Sequence, residues 1–162
     1  LFLYLSVSQQ ALTVFGAEKD QTEPVRVFEV STALKGVGSE KNSGKTPSGR
    51  LMVRAKIGQD MPVNTVFIGR RPTNEIYSDA LAKSAPDRDW ILTRILWLSG
   101  LEVGHNRLGN VDTMQRYIYI HGTPDTEPMG VPKSHGCIRM RNQDVMALFE
   151  LIPVGTEMVV VP

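Results

Sequence analysis

Leu1, Leu3, Leu5 and Val7 alternate with other residues at the head of the chain. That two-residue period marks a strand with one buried face. Ser8-Gln9-Gln10 breaks the pattern, and Leu12-Thr13-Val14-Phe15 reads as the returning strand. A turn is expected over residues 16–23, then strands over residues 25–30 and 50–57, the latter with clean alternation. Residues 90–98 form the strongest apolar strand pattern, residues 117–120 another that delivers His121 at its end, and residues 158–161 a closing one. Short strands separated by Gly and Pro predict a mostly β single domain, a sandwich or barrel-like sheet. Residues 78–83 fit one helical turn or a loop. One helix is expected after the cysteine: Val145, Leu148, Phe149 and Ile152 share a face, Asn142 is placed to cap it, and Pro153 and Gly155 stop it.

The remaining composition narrows the partners. A chain of 162 residues has enough length for one core, and a net charge of +1 offers no basic stripe for nucleic acid. The apolar start is too short to span a bilayer and lacks the marks of a signal peptide. The chain begins with Leu rather than Met, so the cytoplasm and the cell envelope both stay open on this ground. A single cysteine excludes an internal disulfide.

The segment Gly38 through Gly44-Lys45-Thr46 resembles a phosphate-binding loop but is one residue too long between its glycines. A strand pattern, not a helix, follows it, so the anion site at a helix N-terminus is missing. A mobile loop feeding the turn Thr46-Pro47-Ser48-Gly49 is expected instead.

The chemistry concentrates between residues 120 and 140. Ile120-His121-Gly122-Thr123 is followed by Ser134-His135-Gly136-Cys137-Ile138-Arg139-Met140, and together they hold the only cysteine and two of the three histidines. A thiol, a base, glycine backbone and an arginine within one hairpin suit covalent acyl transfer. Gly136 lets the chain turn so that the amides of residues 136 and 137 converge on an oxyanion. Ser134 serves either to orient local groups or as a plain turn residue. His121 and His135 compete as base on equal terms, and His105 is assigned to an exposed loop. Arg139 either grips a substrate carboxylate with its planar fork or pairs with Asp144. Zinc held by His121, His135 and Cys137 is the metal alternative, disfavoured because no usual ligand spacing is present.

At these residues the chain resembles the L,D-transpeptidase catalytic-domain family of bacterial cell-wall enzymes. The helix after Asn142, Pro153-Val154-Gly155-Thr156, Thr46-Pro47-Ser48-Gly49 and the opening strands with Gln10 extend the likeness over nearly the whole chain, 1–162. The resemblance implies a cysteine at the floor of a cleft. It implies a thioester at the L-centre of the diamino acid of a peptidoglycan stem tetrapeptide, release of D-Ala, and transfer to an amine. It assigns Cys137 as nucleophile, His121 as base and the Gly122 carbonyl as the group orienting the ring. His135 and Ser134 become structural or oxyanion-side residues beside Gly136. Arg139 and Tyr119 fall on the substrate side. No cofactor or metal is implied, carbapenems are expected covalent inhibitors, and a monomer in the cell envelope is expected. The alternative is a hydrolytic L,D-carboxypeptidase that trims tetrapeptides to tripeptides during recycling. Acceptor walls are expected from residues 73–88 and 100–112.

Overall fold

The computed structural model describes residues 1–16 and 23–162; most of the turn expected over residues 16–23 lies outside the described residues. β1 (Phe2–Ser6), β2 (Ala11–Phe15) and β3 (Pro24–Glu29) form an antiparallel meander. β4 (Gly49–Ile57), β5 (Thr65–Ile68), β6 (Arg71–Ile76) and β7 (Ile91–Gly100) follow, with α1 (Asp79–Ser84) between β6 and β7. β8 (Tyr119–Thr123), β9 (Ile138–Arg141), α2 (Asn142–Leu151) and β10 (Glu157–Val161) complete the chain. The ten strands make one mixed sheet in the order β3-β2-β1-β10-β4-β7-β5-β6, with β8 joined to β7 and β9 joined to β8. It curls into a half-barrel. α2 packs against β7, β8 and β9.

Alternation explains how the sheet closes on its core. Leu3 and Leu5 of β1, Leu12 and Val14 of β2, Leu51 and Val53 of β4, and Leu96 and Leu98 of β7 all point into one cluster. Val145, Leu148 and Phe149 of α2 seal it. A smaller cluster of Phe67, Ile95 and Tyr119 lies apart from it, with Trp97 and Cys137 packed alongside. β7 is central because both of its faces are buried.

Four expectations change. Among the described residues there are two short α-helices, not one: Ser78 caps α1, its Oγ accepting from Leu81 N at 3.1 Å. Asn142 does not cap α2. Arg141 holds that position, and the Asn142 side chain turns inward to Thr93, Thr123, Asn64 and Asp125. His121 sits in the middle of β8 rather than at its end, because the strand starts only after the left-handed Tyr117 (φ 57°) and runs on through Gly122 and Thr123, which pair with Met140 and Arg141 of β9. The loop before Thr46 is stitched down by a Val37–Thr46 bridge and by Arg116.

Candidate active site

β8 and β9 run parallel, with Ile120 opposite Ile138 and His121 opposite Arg139. The two-residue period then sorts their side chains. Ile120, Ile138 and Met140 enter the main core. Tyr119, His121, Arg139 and Cys137, the residue just before β9, line a cleft of about 440 Å³ on the other face. One ladder therefore presents both the thiol and the imidazole to a single cavity. Ile91, Tyr117 and Ile118 give that cavity an apolar wall.

The turn leading into the cysteine is built from hydrogen bonds. Ser134 Oγ accepts from Gly136 N at 3.2 Å and donates to the Cys137 carbonyl. Ser134 thus orients local backbone. Gly136 has φ +133°, and a Cβ there would stand 3.1 Å from Ile118, so glycine is required by conformation and by space. Its carbonyl accepts from Thr46 Oγ1 at 2.9 Å, and the same hydroxyl accepts from Ala33 N at 3.0 Å. Leu34 N and Arg139 N bond to Ser134 O and Ser31 O. Of the two amides expected to face an oxyanion, Gly136 N is occupied by Ser134. Cys137 N has no partner among the described residues.

Cys137 Sγ accepts from Tyr119 N at 3.3 Å and lies 3.4 Å from Tyr117 O. The residue is half-buried, yet its sulfur is poorly solvated. Burial pushes the thiol up to about 11, and the Tyr119 amide counters only part of that. His121 is almost fully buried. Its Nδ1 lies 2.7 Å from Gly122 O. A carbonyl only accepts, so Nδ1 carries the proton and Nε2 keeps its lone pair. Burial lowers the imidazole from its usual range, with the Gly122 bond opposing. At neutral pH the resting pair is a neutral thiol and a neutral ring.

Arg139 is paired with Asp89, Nη2 to Oδ1 at 3.2 Å, with its side chain only 12% exposed. It does not pair with Asp144; Arg141 holds that carboxylate at 3.9 Å instead. His135 projects outward, its side chain 80% exposed and its Nδ1 3.8 Å from Asp89 Oδ2. It lines the rim of the same cleft as Cys137. No group of three His, Cys, Asp or Glu side chains is gathered as a metal site among the described residues. Tyr119 lines the cleft, and its hydroxyl accepts from Arg70 Nη1 at 3.1 Å.

Three cleft residues were not singled out from the sequence. Asp89 comes from the turn before β7, Arg70 from the turn between β5 and β6, and Arg116 from the segment before β8. Arg116 donates to Lys45 O at 2.6 Å and to Gly38 O at 3.3 Å, tying the early loop to the cysteine turn. Nothing in the sequence pattern marks Arg116, which stands far from Cys137 along the chain. Residues 73–88 and 100–112 do not line the cleft; its walls come from residues 69–70, 89–91 and 116–119.

Residues 2–161 match the family model of the YkuD type, described as the L,D-transpeptidase catalytic domain. A stretch of 41 residues is 51% identical to the probable L,D-transpeptidase YbiS of Escherichia coli K12, covering 25% of this chain and 13% of that protein. An L,D-transpeptidase from Mycobacterium smegmatis superposes with a TM-score of 0.55 at 18% identity, over 99% of this chain and 58% of that one. L,D-transpeptidase 3 from Mycobacterium tuberculosis, solved with a faropenem-derived adduct, gives 0.56 at 16% identity, over 99% and 60%. The chain thus spans less than two thirds of these relatives' lengths, and the structural likeness carries the fold.

Proposed function

Because the chain belongs to the YkuD family of L,D-transpeptidase catalytic domains, we propose that it is a cysteine acyltransferase acting on peptidoglycan stem tetrapeptides. The observation that carries this is the placement of Cys137 and His121 on one face of the β8–β9 ladder, with Nδ1 held by Gly122 so that Nε2 is the base. Arg139 takes the C-terminal carboxylate of the donor peptide, with Asp89 aligning the fork. As Sγ attacks the carbonyl at the L-centre of the diamino acid, Nε2 accepts the thiol proton. A neutral resting pair requires that transfer to accompany attack. The Cys137 amide donates to the developing oxyanion. Collapse breaks the amide bond, His121 returns the proton to the departing D-Ala nitrogen, and a thioester remains. An amine acceptor then attacks the thioester, His121 takes its proton, and the thiol is restored with a new amide. Water in place of the amine gives a free carboxylate.

Ser134 and Gly136 hold the turn, Tyr119 supplies the amide at the sulfur, and His135 stands at the rim. A penem or carbapenem would acylate Cys137 in place of the peptide. No helix among the described residues is long and apolar enough to cross a membrane; the cell envelope is where the proposed substrate is found.

Incubation with a stem tetrapeptide, with and without excess D-amino acid, tests the reading by mass spectrometry. Exchange or dimer products, abolished by Cys137→Ala, are expected. Tripeptide alone at high acceptor concentration would make the protein an L,D-carboxypeptidase, and full turnover by Cys137→Ala would end the thiol mechanism.

A further inference from the structure

Arg70 stands at the turn between β5 and β6, on the wall of the cleft. Its guanidinium carbon lies 4.8 Å from the ring centroid of Trp97 and 4.8 Å from that of Tyr117. Nη1 donates to Tyr119 Oη at 3.1 Å. The indole is itself fixed, Trp97 Nε1 donating to Met114 O at 3.1 Å. Three aromatic side chains from β7, β8 and the segment between them thus hold one cation in place. Tyr119 also joins it to the site, because the Tyr119 amide touches the Cys137 sulfur.

The cleft holds three arginines, and their donors are spent differently. Arg139 faces Asp89. Arg116 gives its donors to Gly38 O, Ser43 Oγ and Lys45 O. Arg70 has no carboxylate within ion-pair distance among the described residues, and one of its five N–H donors is used. Aromatic faces orient a guanidinium without satisfying its N–H groups. An arginine that is ordered but not neutralised is arranged for an anion that arrives from outside, and its planar fork suits a carboxylate.

We propose that Arg70 is a second carboxylate-binding residue of the cleft, reading a carboxylate of the donor peptide other than the C-terminal one given to Arg139. The inference rests on the acyltransferase reading above. A stem peptide offers two sources: the α-carboxylate of its γ-linked D-glutamate and, where the diamino acid is diaminopimelate, the carboxylate on that side chain. Amidation of the relevant group removes the charge with little change of shape. Arg70 therefore makes the enzyme selective for the unamidated form at that position.

Four tetrapeptides decide it: free at both positions, amidated at one, amidated at the other, and amidated at both. D-Ala release is followed for the wild type, Arg70→Gln and Arg70→Lys. One of the two single amides should lose about tenfold in kcat/KM with the wild type, mostly through KM, as expected for a lost charge-assisted contact. Arg70→Gln should show that loss on the free peptide and no further loss on the amide; Arg70→Lys should recover part of it. Alkylation of Cys137 by uncharged iodoacetamide should be unchanged, which a general disturbance of the cleft would not allow. Equal kcat/KM for all four peptides with the wild type overturns the proposal, whether or not the variants fold. So does an equal loss on all four in Arg70→Gln. Absence of turnover on every peptide instead removes the acyltransferase reading, and this proposal with it.

Discussion

Cys137 and His121 are both shifted by burial toward their neutral forms, the thiol up to about 11 and the ring below 6.5. The signs set a pH profile for stability. Between an ordinary thiol value of 9.0 and about 11, the unfolded chain releases a proton that the folded one keeps. Stability supplied by the buried neutral thiol is therefore full below pH 9 and falls as pH rises toward 11. Below pH 6.5 the unfolded chain binds a proton that the buried ring refuses, so stability falls again on that side. Thermal midpoints measured from pH 5 to 11 should show a plateau between about 6.5 and 9. Cys137→Ser should flatten the alkaline limb and His121→Gln the acid one. Unchanged limbs in both variants would mean that neither group is desolvated as described. At this scale the motif residues were legible because they are neighbours in sequence. Asp89, Arg70 and Arg116 were not, because only the folded sheet brings three distant turns to one cavity. Burial separates the two histidines in place, His121 inside the ladder and His135 largely exposed at the cleft rim, and the base role proposed above goes to His121.

At the scale of elements, the site depends on an irregularity in β7. The pairing of β7 with β8 shifts between Leu92 and Ile95, and Thr93 there has φ 75°, an uncommon value for a β-branched residue. Asn142 compensates. It accepts from Thr93 Oγ1 at 2.6 Å and donates to Thr123 O at 3.0 Å. Thr93 Oγ1 in turn accepts from Asn64 N at 3.0 Å. Gly122 fits against this node, since a Cβ there would stand 2.6 Å from Leu92 O; the carbonyl that holds His121 is placed by the same packing. Asn142→Ala leaves buried partners unsatisfied and should cost about 2–3 kcal/mol, or about 5–10 °C in Tm. It should also lower kcat at temperatures where it stays folded. A loss under about 1 kcal/mol by chemical denaturation, within the range of an ordinary surface change, would show that the node is not structural. The helix after the cysteine was legible from its apolar face, but the inward turn of Asn142 was not: an asparagine before a helix signals a cap. β6 escaped detection because it is an edge strand with Pro72 and no buried face to impose alternation. β9 is four residues long and lies inside the cysteine motif, where chemistry masks periodicity.

The molecule as a whole joins two sets of strands through its last one. Alternation revealed most of the strands but not their partners, because a face pattern carries no information about which edge meets which. β10 pairs in parallel with β1 on one side and antiparallel with β4 on the other. Among the described residues, the β1–β3 meander thus has no ladder to the rest of the sheet except through residues 157–161. Residues just after β3 support the cysteine turn, through Ser31 to Arg139 and Leu34 to Ser134. Deleting residues 157–162 should therefore abolish both cooperative unfolding and labelling of Cys137 by a penem, read by calorimetry and intact mass; a truncated chain that still labels at the normal rate would refute the linkage. The same arrangement imposes an order in time. As the chain is made from its N-terminus, β1 and β4 each wait with an open edge until residues 157–161 are made, a state prone to wrong pairing. The arrival of β10 fills both edges in one step, so assembly of the nucleophile's surroundings is tied to the synthesis of residues 157–161.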